Sequence, residues 1–164
     1  MPVYAPIDST LDKGAYFQEG GIDQYALFFD ISCEMYYIFD HIVDVSDDIK
    51  EAFPDRPAFE TSIVSTNKRI EFKAGDLVGY SIGEQFDQWD FGVYKTSEKN
   101  FLKDRNDIPN LQERDFYARC PYDYFPEKQK QAYYALFGSH LDKPIPTIFC
   151  QLVEELEQGN EALV

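Results

Sequence analysis

His41 sits among carboxylates: Asp40 precedes it, Asp44 follows, and Asp90 lies farther along in Gln88-Trp89-Asp90. Carboxylates around an imidazole favour its protonated form. Asp40, His41, Asp44 and Asp90 would therefore make an acidic pocket suited to acid–base chemistry, with His41 as base and Asp90 orienting it. The plainer alternative is a His41 that only hydrogen-bonds its neighbouring carboxylates, because no nucleophile or oxyanion donor accompanies it. His41 and His140 are the only histidines, which excludes a histidine cluster as a metal site. Grouped carboxylates can take calcium through oxygen, but the spacing is not that of an EF-hand loop. Cys33 could act as a nucleophile toward His41, whereas a thiol in an apolar-flanked strand is usually inert packing. Asp44, Asp47 and Asp48 read as a solvated face or a helix start. No metal and no cofactor is expected.

Cys33, Cys120 and Cys150 share no metal-type spacing, which leaves either a Cys120 to Cys150 disulfide or buried free thiols. Cys120-Pro121-Tyr122-Asp123-Tyr124-Phe125-Pro126 is rich in aromatic residues. It either clamps a segment onto the rest of the fold, or Tyr122, Tyr124 and Phe125 join Trp89 around a cleft that stacks on a sugar or grips a peptide.

These residues need a scaffold. With 164 residues and 44% hydrophobic content the chain is long enough for one full core, and 12 Tyr and 14 Phe argue against disorder. Thirty acidic against 15 basic residues give a net charge of −15. Before Glu60 the only cationic side chains are Lys13, Lys50 and Arg56. Nucleic acid is excluded as a ligand because phosphates need clustered Lys and Arg. An anionic membrane surface would be repelled and a basic partner attracted. The acidity also serves solubility by itself. No apolar run is long enough to insert in a membrane, and Met1-Pro2-Val3-Tyr4 is not a signal-peptide start.

Short apolar bursts bounded by Gly, Asp and Pro give residues 1–96 a β pattern. Strands are predicted at Val3–Ala5, Gln24–Ser32, Glu34–Val45, Ser62–Val64, Arg69–Phe72, Leu77–Ile82 and Gln88–Tyr94, with Gly20-Gly21 as the turn between the first two. Asp47–Phe53 reads as a short helix capped by Ser46 and stopped by Pro54. Gly75-Asp76 predicts a tight turn, and Gly79 a bulge or a close backbone approach. Residues 97–164 read as a polar loop and a helical extension, with helices over Pro126–Phe137 and Thr147–Glu157.

Four segments carry a resemblance. Val3-Tyr4-Ala5-Pro6-Ile7-Asp8, Tyr36-Tyr37-Ile38-Phe39-Asp40-His41-Ile42, Lys73-Ala74-Gly75-Asp76-Leu77-Val78-Gly79 and Trp89-Asp90-Phe91-Gly92-Val93 occur in the order of the lysostaphin-type (LytM-like) zinc metallopeptidases. The second resembles that family's Tyr-x-His-Leu strand, the third its Gly-x-x-Ile-Gly turn and the fourth its closing His-x-His strand. The resemblance implies a mainly β fold, an antiparallel β-sandwich or barrel-sandwich hybrid with a C-terminal helical extension. It also suggests an extracellular or periplasmic setting.

Residue by residue, His41 matches the family's assisting histidine. Gln88 stands for the first His of His-x-His, and Asp90 for the metal-binding one. The family's early His-and-Asp segment would precede Val3. Catalytic zinc needs three protein ligands and an open position, so the expectation is a non-catalytic LytM-like domain. It would bind or regulate through a groove of Trp89, Gln88, Tyr80, Asp40 and Tyr122 beside His41 and Asp90, with a protein, peptide or cell-wall glycan as ligand. Two alternatives stand beside it: a hydrolase with non-zinc or altered-metal chemistry at His41 and Asp90, and an acidic protein that binds a basic partner.

Overall fold

The computed structural model describes residues 1–54, 62–81, 90–104, 110–124, 127–128 and 131. Its strands are β1 (Pro2–Tyr4), β2 (Ser9–Glu19), β3 (Ile22–Ser32), β4 (Met35–Val43), β5 (Val64–Phe72), β6 (Leu77–Ser81), β7 (Asp90–Lys95) and β8 (Ala118–Arg119), and a short helix, α1 (Asp47–Ala52), follows β4. They form one eight-stranded antiparallel sheet of order β1-β6-β4-β3-β2-β5, in which β7 pairs with β4 and β8 with β7. The chain divides into two compact units, Met1–Gly92 and Val93–Val164.

In the first unit β2 and β3 form an 11-residue hairpin pair. Gly20 and Gly21 close it, with φ of 60° and 81°. A two-residue hairpin turn that follows strand twist needs positive φ at both positions, which glycine adopts at least cost. The Gly20-Gly21 turn thus lies between β2 and β3, and β2 itself was not expected from sequence. Its alternation is broken by a bulge: the register against β3 shifts between Leu11 and Lys13, leaving Asp12 as the extra residue. Asp12 Oδ1 is buried without a hydrogen-bond partner. Nearby, burial and then the Asp12 charge hold the Asp30 carboxyl above the usual carboxylate range. Of the two expected strands at 62–64 and 69–72, the second and only Val64 of the first fall within one strand, β5, whose register against β2 shifts between the Lys13–Ser65 and Leu11–Ile70 pairs.

Six consecutive residues of β3, Gln24–Phe29, are buried, so this strand is covered on both faces. On one face Phe29 stacks on Tyr37 at 4.6 Å and meets Phe72 edge-on at 5.3 Å, while Phe39 packs against Phe91 at 5.1 Å. The Tyr37 hydroxyl shares a 2.8 Å hydrogen bond with Ser9 Oγ. Alternation sends Gln24, Ala26 and Phe28 to the other face, where Phe17 and Ala15 stand directly opposite Gln24 and Ala26. Gly79 lies where β6 crosses β4. A Cβ there would sit 2.7 Å from Ile42 Cγ2 and 2.9 Å from the Val43 carbonyl oxygen, so the expected close approach is present.

Helix α1 begins after Ser46, but no side-chain cap forms. The Ser46 carbonyl instead accepts from the Ile49 and Lys50 amides. Lys68 ties the helix to β5 through Asp48 at 3.0 Å and Glu51 at 3.4 Å. Cys33 lies in the β3–β4 turn, exposed and free, which corrects its expected place in a buried strand.

In the second unit β8 pairs with β7 through Val93–Arg119 and Tyr94–Ala118. Asn100, 7% exposed, donates from Nδ2 to the Asp115 and Ala118 carbonyls, and its Oδ1 accepts the Leu102 amide. Three 3-10 turns, Phe101–Asp104, Glu113–Tyr117 and Pro121–Tyr124, surround this hub in sequence. Cys120 is buried and disulfide-bonded rather than a free thiol; Cys150 lies outside the described residues. The two expected C-terminal helices also lie outside them, apart from Glu127, Lys128 and Gln131, which are helical. Among the described residues no helix is long and apolar enough to cross a membrane.

Candidate functional site

Strand β4 is an apolar run until Asp40-His41, and there its register breaks. Phe39 pairs with Leu27 and Ile42 with Tyr25, so Asp40 and His41 both stand against Ala26. This is a bulge, a device that re-aims a side chain. His41 has φ of 61°, a left-handed conformation that costs a residue with a Cβ roughly 1 kcal/mol. The His41 amide donates to Asp40 Oδ1 at 2.8 Å, which supports the turn.

The bulge delivers the imidazole to Gln24. Nδ1 lies 2.8 Å from Gln24 Oε1 and 3.5 Å from Glu19 Oε2, and the ring meets Phe17 edge-on at 6.2 Å. Gln24 is only 2% exposed. Its Nε2 donates to the Glu19 carbonyl at 3.3 Å, and because a carbonyl only accepts, that bond orients the amide with Oε1 toward the ring. An acceptor facing Nδ1 assigns the ring proton to Nδ1 in the neutral imidazole. Nε2 then carries the lone pair. Metal-binding and base-type histidines are commonly held this way, by a polar group behind the reactive nitrogen.

Asp90 opens β7 and is exposed. Ligand-type atoms of Asp40, His41 and Asp90 lie within 4.8 Å of one another. These three expected residues come together, while Asp44 lines a cavity elsewhere with Tyr16 and Tyr25. One imidazole and two carboxylates do not reproduce the zinc set of the peptidases, and such an oxygen-rich set suits harder cations better. No hydrolytic step is derived from it.

Gln88 and Trp89 lie outside the described residues. Tyr80 is 40% exposed and stands on β6 opposite Pro2 and Val43. Tyr122 belongs to the second unit, in the Pro121–Tyr124 turn. Cys33 precedes β4 and His41 is near its end, roughly 25 Å away at strand rise, so the two cannot act as a nucleophile–base pair. Sequence reasoning missed Gln24 and Glu19, the groups that orient His41. Counting back across the β3–β4 turn brings Gln24 near His41, but only once the bulge is known.

No protein-family model, curated protein or solved structure matches this chain.

Proposed function

We propose that this chain is a LytM-like domain that binds rather than cleaves, a barrel-sandwich relative whose groove holds a protein, peptide or cell-wall ligand. One observation carries it. His41 and Asp90, aligned with two peptidase site histidines and far apart in sequence, converge beside Asp40, with a carboxylate where the hydrolases need a second imidazole. An oriented Nε2 and two carboxylates can accept hydrogen bonds from a ligand's amides, hydroxyls or ammonium groups.

Purified peptidoglycan sacculi and a basic peptide column, each with and without added zinc, test this reading. Retention that weakens in His41→Gln and Asp90→Asn, with no soluble fragments released, is the expected result. Zinc-dependent release of fragments would overturn it.

A second reading is favoured by the donor set itself: Asp40, His41 and Asp90 hold a divalent cation other than zinc and support altered-metal hydrolysis. Calorimetric titration with calcium, manganese and zinc separates the two. Stoichiometric, tight binding that Asp90→Asn abolishes would favour the metal site over the binding module.

A further inference from the structure

The first unit carries a second concavity that the His41 site does not use. By alternation along β3, Asp23 and Tyr25 project to the face opposite Gln24, and there they line a cavity of about 470 Å³ with Tyr16, Ile22, Asp44 and Lys50. This volume falls within the ~300–1,000 Å³ usual for small-ligand sites. Tyr16 and Tyr25 pair across β2 and β3 and stack at 4.7 Å with 10° between their planes. Asp23 is held in place, accepting from the Tyr16 hydroxyl and from Gln18 Nε2, each at 3.0 Å.

Two groups in this cavity have no protein partner among the described residues. Tyr25 is 7% exposed, its ring covered while its hydroxyl stays open to the cavity. Burial pushes its ionisation up to about 12, so it remains a neutral phenol. A ligand donor at this hydroxyl would take the place of water. Asp44 is exposed and has no hydrogen bond or ion pair among the described residues, and its backbone is left-handed with φ of 47°. Outliers of this kind cluster at ligand clamps. The cavity's cation, Lys50, is drawn to Asp47 at 3.4 Å, which offsets its charge and leaves Asp23 and Asp44 to set the local sign.

We propose that this cavity receives the guanidinium of an arginine side chain presented by a basic protein or peptide. Asp23 and Asp44 outnumber Lys50 in the lining and disfavour an anion, and the Tyr25 hydroxyl can accept from a donor. A planar cation with five N–H donors both bonds carboxylates and lies against aromatic rings, and it is less strongly hydrated than an ammonium group. The net charge of −15 steers basic macromolecules toward the surface, and Ile22, 48% exposed, offers apolar contact at the rim. The assignment is independent of the His41 site.

The test is an NMR titration of the full chain with acetyl-Gly-Arg-Gly-amide and with its citrulline and lysine counterparts. Citrulline keeps the shape and removes the charge. Saturable shifts at Tyr16, Tyr25 and Asp44 are expected, weakened about tenfold by citrulline, as for one lost charge-assisted contact. Asp44→Asn should weaken binding similarly while keeping the fold, since Asn tolerates the left-handed backbone. Tyr25→Phe should weaken it severalfold. The proposal falls if no saturable shift appears, if citrulline or lysine binds as well as arginine, if neither cavity variant matters, or if the shifts gather at His41 and Asp90.

Discussion

Replacing Gln24 by Leu would test how His41 is held. Leu keeps the approximate volume of a side chain that is 2% exposed but removes the acceptor 2.8 Å from Nδ1 and the 3.3 Å bond to the Glu19 carbonyl. Glu19 Oε2, at 3.5 Å and with its side chain 64% exposed, is too distant and too hydrated to replace the amide. A neutral hydrogen bond contributes about 1 kcal/mol net, which is about fivefold in a tautomer ratio. Global stability should change by no more than about 1 kcal/mol, because Leu recovers apolar burial while the amide's bonds are lost. The assay is 15N NMR of the imidazoles at pH ~9, where histidine is neutral, with His41→Gln used to separate His41 from His140. The proton should sit on Nδ1 in the native chain and move toward Nε2 in Gln24→Leu. A native ring already protonated on Nε2, or one that ignores the substitution, would refute the orientation of the site.

Three further outcomes are expected. Gly79→Ala should lower stability by about 1–3 kcal/mol in a denaturant titration, since its Cβ would overlap Ile42 and the Val43 carbonyl; an unchanged midpoint would show that β6 does not approach β4 so closely. Asn100→Ala should cost about 3 kcal/mol, because it strands the Asp115 and Ala118 carbonyls and the Leu102 amide; thermal unfolding would read this as a large drop in Tm. Asp30→Asn should stabilise the protein at pH 7. The Asp30 carboxyl titrates above its usual value in the fold, through burial and then Asp12, so the folded state binds its proton more tightly and loses stability as pH rises past the unfolded value of 3.8. The gain from Asn should therefore vanish below about pH 4, and a gain that persists in acid would contradict the cause.

Sequence alone determined the local features with local causes. Gly20-Gly21 and Gly75-Asp76 had to turn, the apolar bursts of β3, β4 and β6 had to be strands, and Pro54 had to follow a short helix opened by Asp47 and Asp48. Only tertiary structure decided the rest. The strand β2 was hidden because Asp12 and Gly14 are poor strand residues and because the bulge at Asp12 interrupts the alternation that betrays a strand. Ser46 stands at the N-cap position without its side chain capping, a choice of rotamer that residue type does not reveal. Asp40, His41 and Asp90 were legible as chemistry but not as a site. Their convergence depends on β7 lying beside β4 and on one extra residue opposite Ala26 that turns the imidazole toward Gln24. Pairing across a sheet is set by register summed over whole strands, so a one-residue bulge redirects side chains that no short stretch of sequence could have placed.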